Sequence, residues 1–165
     1  HGIVMEPHLQ NCVLIHDEGM PWKMLLRDFE GVKLTDDKGV DWLAGESLHP
    51  RVRESMTYRR EQGWNRIAYC LLVNHVAEAI LALSWQRPEL GDALWQDTLD
   101  ELRRVRQTLD MPAPELDALL EGGDLPCKTN FKLRLMAQAD RQAEYVALPS
   151  PWQVARTVDR EVAYG

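Results

Sequence analysis

Two short blocks hold most of the chemistry-bearing side chains near the start of the chain: Glu6-Pro7-His8-Leu9-Gln10-Asn11 and Arg27-Asp28-Phe29-Glu30-Gly31. Between them lie two apolar runs, 13–15 and 22–26, around the turn residues Asp17-Glu18-Gly19. Two apolar runs about an Asp/Gly turn signal a β-hairpin. A hairpin brings its ends together, so Asn11 at the entry and Asp28 at the exit are expected to be neighbours. An amide oxygen and a carboxylate converging on one point make a hard-oxygen site. Mg²⁺ is held in that way, with nucleotide phosphates and water completing its shell. Kinase-type enzymes use a loop Asn and a following Asp for the same purpose. Glu30 could add a water-mediated metal contact or orient Arg27. His8 could act as a general base or donate a hydrogen bond to an anionic substrate. Gln10 could take a phosphate or sugar oxygen, and Glu6 could orient His8. Each residue alone also has a structural reading. Asn and Asp flank turns for backbone reasons, and an Arg–Asp pair is commonly a surface ion pair. The clustering is what sets these blocks apart.

The elements that must position them follow from pattern. Residues 1–34 read as β-rich, with 32–34 a third short run, and 35–50, rich in Asp and Gly, read as a loop. The charged stretch 51–62 suggests a short exposed helix. Residues 64–86 are apolar on nearly all sides, which predicts a helix at the buried centre of a domain. Within it Arg66 and Tyr69 are one turn apart and share a face. An Arg there could pair with a substrate carboxylate, or cap or pair locally. Asn74 and His75 read as core polar groups with internal partners. Pro88 and Gly91 break the helix, and Asp92 is the expected N-cap of a helix over 93–109. Its apolar face runs through Trp95, Leu99 and Leu102. A short helix over 115–121 ends at Gly122-Gly123. Residues 127–138 read as helix or strand, and 152–163 as a terminal helix. The expected fold is α+β: a small antiparallel sheet carrying the site, packed on a mostly α-helical bundle. Residues 1–165 are taken as one domain, with 1–34 the β-rich catalytic segment and 51–165 mainly helical.

Composition limits the function classes. The chain has 165 residues, 26 acidic against 19 basic side chains, and a formal net charge of −7. That balance argues against a non-specific nucleic-acid or anionic-membrane binder, since both need a basic face. No apolar run approaches the roughly 20 residues that span a bilayer, and no secretion signal is visible. Cys12, Cys70 and Cys127 are few, odd in number and far apart, which rules out a disulfide framework or a CxxC motif and suits a reducing, cytoplasmic setting. The abrupt start at His1, without Met, reads as a piece of a longer chain.

The run HGIVMEPHLQNCVLI followed by LLRDFEGVKL resembles the C-terminal half of the NRPS-independent siderophore (NIS) synthetases, of the aerobactin-synthetase type. That family shows an HG-x(3)-E-x-H-x-Q-N block, then a strand, then an RD-x-EG block. Here the first is His1, Gly2, Glu6, His8, Gln10 and Asn11, and the second is Arg27, Asp28, Glu30 and Gly31. Weaker matches follow in order: Asn74-His75, then Pro126-Cys127-Lys128 leading into Leu133-Arg134-Leu135, then Tyr145-Val146-Ala147-Leu148-Pro149. The resemblance implies a bacterial iron-acquisition ligase that activates a carboxylate of citrate, or of a citrate derivative, with ATP and Mg²⁺. An acyl-adenylate forms with loss of pyrophosphate, and an amine or hydroxylamine then attacks to give an amide or ester. It places Gln10, Asn11, Asp28 and Glu30 on the ATP side, with Asn11 and Asp28 as metal ligands. Glu6 and His8 become the catalytic pair, with His8 facing the citrate or adenylate. Arg66, Tyr69 and Lys128 join His8 on the substrate side, and Arg134 adds positive charge.

A tricarboxylate and a triphosphate meeting in one site need local Mg²⁺, Arg and Lys to offset their repulsion. The resemblance also implies a missing upstream half that supplies most phosphate-gripping residues, a homodimer, and inactivity of this chain alone, with apolar surface exposed where the missing part would sit. Related ferric-reductase proteins share this region and end in a Cys-rich iron–sulfur motif. With no Cys after Cys127, that chemistry is disfavoured. Two other readings stay open: a kinase-like phosphotransferase lobe, which would make ADP rather than AMP, and a non-catalytic helical interaction domain whose polar cluster only caps a hairpin.

Overall fold

The computed structural model describes residues 1–129, 135–136 and 144–153. It is α+β, with short strands among helices, and the chain divides into two compact units, His1–His75 and Val76–Gly165.

In the first unit, β1 (Ile3–Val4) leads to the hairpin of β2 (Cys12–Asp17) and β3 (Met20–Leu26), then to β4 (Lys33–Thr35). The antiparallel hairpin sets Cys12 opposite Leu26, with an irregularity at Ile15/His16. Its turn uses Glu18 and Gly19 at positive φ (47° and 82°), the geometry that fits the twist of a tight hairpin. The hairpin leaves large apolar side chains in the open, Met20 and Trp22 above all.

Residues 50–58 do not form one exposed helix with 59–62. α1 (Pro50–Met56) starts with Pro at its first turn, and His49 Nδ1 accepts from Arg51 N–H at 3.2 Å. β5 (Thr57–Tyr58) then pairs in parallel with β4, Leu34 facing Thr57, while β1 pairs antiparallel on the other side of β4. The three-stranded sheet is therefore mixed, in the order β1-β4-β5. The expected loop 35–50 also carries the 3₁₀ segment Gly39–Leu43.

Two close approaches build this unit. Gly2 has φ +74°, and a Cβ on Gly39 would lie 2.2 Å from the Gly2 carbonyl oxygen and 2.9 Å from Leu34 backbone atoms. A Cβ on Gly63, in α2 (Arg60–Ala68), would lie 2.8 Å from Val4 Cγ2 and 3.1 Å from Thr35 Cγ2. Backbone cannot give way as methyl groups can. Gly39→Ala is expected to cost about 2–3 kcal/mol through overpacking. Gly63→Ala is expected to cost less, about 1 kcal/mol, because better helix propensity offsets part of the clash. Urea unfolding of the two variants checks the order.

Asp37 ties the same region together. Its carboxylate accepts from Thr35 Oγ1 at 2.6 Å and from Lys38 N at 2.8 Å, and pairs with Arg60 Nη1 at 2.9 Å. Those bonds, Thr35 first and Arg60 next, hold it at about 2, below an ordinary 3.8. A carboxyl whose folded value is depressed stabilises the fold above its unfolded value and ceases to do so as the pH falls through its folded value. Stability is expected to fall between pH 4 and pH 2, and Asp37→Asn should flatten that part of the curve, measured by denaturant unfolding across pH.

The apolar stretch 64–86 is helical, but not as one α-helix. α2 passes into a π-helical stretch, Tyr69–Ala77, and then α3 (Glu78–Ser84). Nor is it buried all round: Ala68, Cys70, Leu72 and Ile80 are buried, while Leu81, Leu83 and Trp85 are exposed. By length and composition alone Arg60–Ser84 is apolar enough to cross a membrane, with mean hydropathy 1.7 over 18 residues, contrary to the expectation that no run is. Only 22% of that window is buried, less than in a core helix that passes the same test, and Arg66 and His75 are bonded to protein groups.

In the second unit α4 (Glu89–Gln107) begins before Asp92, because Pro88 already adopts helical backbone and Pro is well tolerated where no N–H is needed. Asp92 thus lies in the first turn rather than at the cap, still favourable to the helix dipole. α5 (Pro114–Leu120) is joined to α4 by the Arg106 guanidinium, which grips both oxygens of Asp117 at 2.5 and 3.1 Å. β6 (Leu125–Lys128) and β7 (Tyr145–Leu148) pair antiparallel, Lys128 opposite Tyr145. Trp152 stacks edge-on against Trp95 at 6.3 Å and donates from Nε1 to the Leu119 carbonyl at 3.0 Å. Arg134 and most of the expected helix 152–163 lie outside the described residues.

Candidate functional site

The first block folds as a knot of backbone bonds. Leu9–Asn11 form a 3₁₀ turn. The Glu6 carbonyl accepts from His8 N at 2.9 Å and from Asn11 Nδ2 at 3.1 Å, and Asn11 N donates to the His8 carbonyl at 2.9 Å. Asn11 is buried, 4% exposed. Its Nδ2 is committed to a carbonyl, which can only accept, so the amide has one orientation. Oδ1 then has no donor among the described residues.

The hairpin sets the second block beside the first. The Asn11 carbonyl accepts from Arg27 N at 2.9 Å, and Arg27 Nε donates to the Gln10 carbonyl at 2.8 Å. Arg27 is therefore spent on pinning the hairpin mouth, rather than being oriented by Glu30. Asp28 follows in the left-handed region (φ 63°, ψ 70°), a conformation uncommon outside Gly but several-fold enriched in Asp and Asn. The 3₁₀ turn Phe29–Gly31 then brings Gly31 back over the first block: a Cβ there would lie 3.0 Å from Glu6 Oε2. Asp28 and Glu30 are exposed, as is Gln10.

Glu6 does not orient His8 with its side chain. Its Oε1 pairs with Arg66 Nη2 at 2.8 Å, and it meets His8 only through its own carbonyl. Arg66 also donates from Nη1 to the Tyr58 hydroxyl at 2.5 Å and lies 5.5 Å over the Tyr58 ring. Its Nε is buried without a partner. The local pairing open at the sequence level is thus what the structure holds. Tyr69 stands at the start of the π-helical stretch, and Lys128 at the end of β6 in the second unit.

His75 was legible as a core polar group and as part of a weak family match, not by its partner. Its Nδ1 lies 3.0 Å from the Pro7 carbonyl, 68 residues away, and no spacing rule reaches that far. Tyr58 was hidden in a charged stretch, and the Gly31–Glu6 approach carries no sequence signal of its own.

Among the described residues no group of three or more His, Cys, Asp or Glu side chains is placed to hold a metal. The hairpin mouth carries instead two residues with hard-oxygen donors, the buried Asn11 amide and the exposed Asp28 carboxylate, the donor types that suit a Mg²⁺ completed by phosphates.

A family model described as "Ferric iron reductase FhuF-like transporter" matches residues 1–143. The L-2,3-diaminopropanoate–citrate ligase of Staphylococcus aureus (strain NCTC 8325 / PS 47) is 28% identical over 152 residues, 79% of this chain and 25% of that protein. The D-ornithine–citrate ligase of the same strain is 28% identical over 85 residues, 51% of this chain and 13% of that protein. The chain thus spans about a quarter or less of these relatives. The crystal structure of the petrobactin biosynthesis protein AsbB from Bacillus anthracis str. Sterne shares the fold, with a TM-score of 0.65 and 22% identity over 98% of this chain and 29% of that one. The chain belongs to the FhuF-like family, in the form that makes up the C-terminal region of NIS synthetases.

Proposed function

We propose that this chain carries the metal–nucleotide edge and part of the carboxylate site of an ATP-dependent siderophore synthetase acting on citrate or a citrate derivative. The observation that carries the reading is the fixed Asn11 amide: Nδ2 is tied to the Glu6 carbonyl, Oδ1 has no donor among the described residues, and the backbone carbonyl of the same residue takes the Arg27 N–H, one residue before Asp28. Citrate-ligase relatives support the substrate class. A carboxylate oxygen of the acid attacks the α-phosphorus of ATP, and the bond to pyrophosphate breaks. The nitrogen or oxygen of the nucleophile then attacks the acyl carbon, loses its proton, and displaces AMP.

In this reading Asn11 Oδ1 and Asp28 would hold Mg²⁺, which when bound offsets phosphate charge. Gln10 and Glu30 orient the nucleotide. His8 faces the reacting carboxylate, where it donates a hydrogen bond or takes the nucleophile's proton. Glu6 anchors the turn through Arg66. Tyr69 belongs to the substrate side, and Arg66, held by Glu6 and Tyr58, supports the turn that bears His8. The reaction draws on cytoplasmic ATP, and the resemblance extends to a homodimer and to an upstream part of the polypeptide that completes the phosphate site.

The test is isotope exchange in the full protein that carries this chain. Citrate-dependent incorporation of labelled pyrophosphate into ATP is expected. Absence of exchange with every acid tried, under conditions where Mg-ATP binds, would overturn the adenylation step.

A further inference from the structure

We propose that His75 is a positioning residue for the site: it sets the direction of His8 by holding the peptide plane that precedes it. The carbonyl of Pro7 and the N–H of His8 belong to one peptide unit, which is planar. The N–H end donates to the Glu6 carbonyl at 2.9 Å. The carbonyl end lies 3.0 Å from His75 Nδ1. With both ends fixed, the plane cannot rotate, and the Cα of His8 leaves it in one direction. A carbonyl only accepts, so His75 carries its proton on Nδ1, and in the neutral ring Nε2 remains an acceptor.

Delivery of this bond explains the irregular helix. π-helical geometry is rare and recurs where a helix must place a side chain off the α register, often at functional sites. Here it spans Tyr69–Ala77 and contains His75. Arg66, in α2 just before it, reaches the Glu6 carboxylate at 2.8 Å. One helical run therefore grips two successive residues of the first block, Glu6 by side chain and Pro7 by backbone. Nothing in this arrangement requires His75 to touch substrate.

The activity arm of the test rests on the synthetase reading; the spectroscopic arm does not. In the full protein, His75→Ala is expected to lower kcat by about 10- to 100-fold, the cost of misplacing a reacting group by about an ångström, with KM for ATP little changed. His75→Asn, whose amide N–H stands where Nδ1–H does, should recover most of that rate. His75→Gln, whose amide stands where Nε2 does, should not. Equal rates for the Asn and Gln variants would overturn the proposal. Imidazole ¹⁵N spectra of the unsubstituted protein, assigned with His75→Asn, should show Nδ1 protonated and Nε2 bare in the neutral ring. The opposite tautomer would overturn it even if the variants failed to fold. Absence of citrate-dependent turnover in the unsubstituted protein would count against the synthetase reading, and the tautomer would then decide the role of His75.

Discussion

Asn11→Ala should remove nucleotide-dependent turnover from the protein that carries this chain, with kcat/KM falling by about 10²- to 10³-fold, the range seen when one aimed polar group is deleted from an active site. Two losses combine. The freed Oδ1 disappears from the hairpin mouth, and so does the Nδ2 bond to the Glu6 carbonyl at 3.1 Å. The second loss is structural and worth about 1 kcal/mol, far short of the activity effect. Asp28→Ala separates the two. Asp28 is exposed, so its removal should leave the unfolding midpoint nearly unchanged while raising the Mg²⁺ concentration needed for half-maximal rate. Steady-state kinetics over a Mg²⁺ series, with thermal unfolding alongside, reads both variants. An unchanged Mg²⁺ requirement in Asp28→Ala would leave Asn11 as a turn residue only.

Arg66→Ala should cost both stability and rate. The Glu6–Arg66 pair is about three-quarters shielded, with side-chain exposures of 28% and 25%. Removing the guanidinium strands a carboxylate against Gly31 and leaves the Tyr58 hydroxyl without its donor. A fully buried pair broken from one side costs more than a surface one; for this partly exposed pair about 1–2 kcal/mol is expected. Arg66→Lys should not restore it, because a single ammonium cannot reproduce the fork that meets Glu6 and Tyr58 together. The coupling is measurable. In a cycle of Glu6→Gln, Arg66→Met and the double variant, unfolding free energies should be non-additive by about 1 kcal/mol. The rate should fall in every arm, because the turn bearing His8 and Asn11 loses its side-chain anchor. Additivity would show that the pair merely decorates the surface.

How much of this was legible follows from the range of each signal. The hairpin was readable because its cues are local: two apolar runs and a Glu18-Gly19 turn at positive φ. Its closure brought Asn11 and Arg27 into backbone contact. β5 was not readable, since two residues between helices acquire strand character only from parallel pairing with β4, which local periodicity cannot register. The 64–86 stretch showed its apolar character and its Arg66 and Tyr69, but an α and a π turn draw on the same residue types. The shift became visible only through where His75 lands. Glu6 was read as a partner for His8 because the two are close in sequence, and the structure commits its carboxylate to a helix instead. Residues near in sequence announced the site, while two of the contacts that hold it, Glu6 to Arg66 and Pro7 to His75, come from 60 and 68 positions away.

The central claim is that this hairpin mouth serves carboxylate adenylation. The most direct measurement is the identity of the nucleotide product when the full protein is incubated with Mg-ATP, citrate and hydroxylamine. Citrate-dependent AMP and pyrophosphate, together with a hydroxamate and all lost in Asn11→Ala, are the predicted result. Citrate-dependent ADP and inorganic phosphate would contradict it and turn the same Asn/Asp geometry into that of a phosphotransferase.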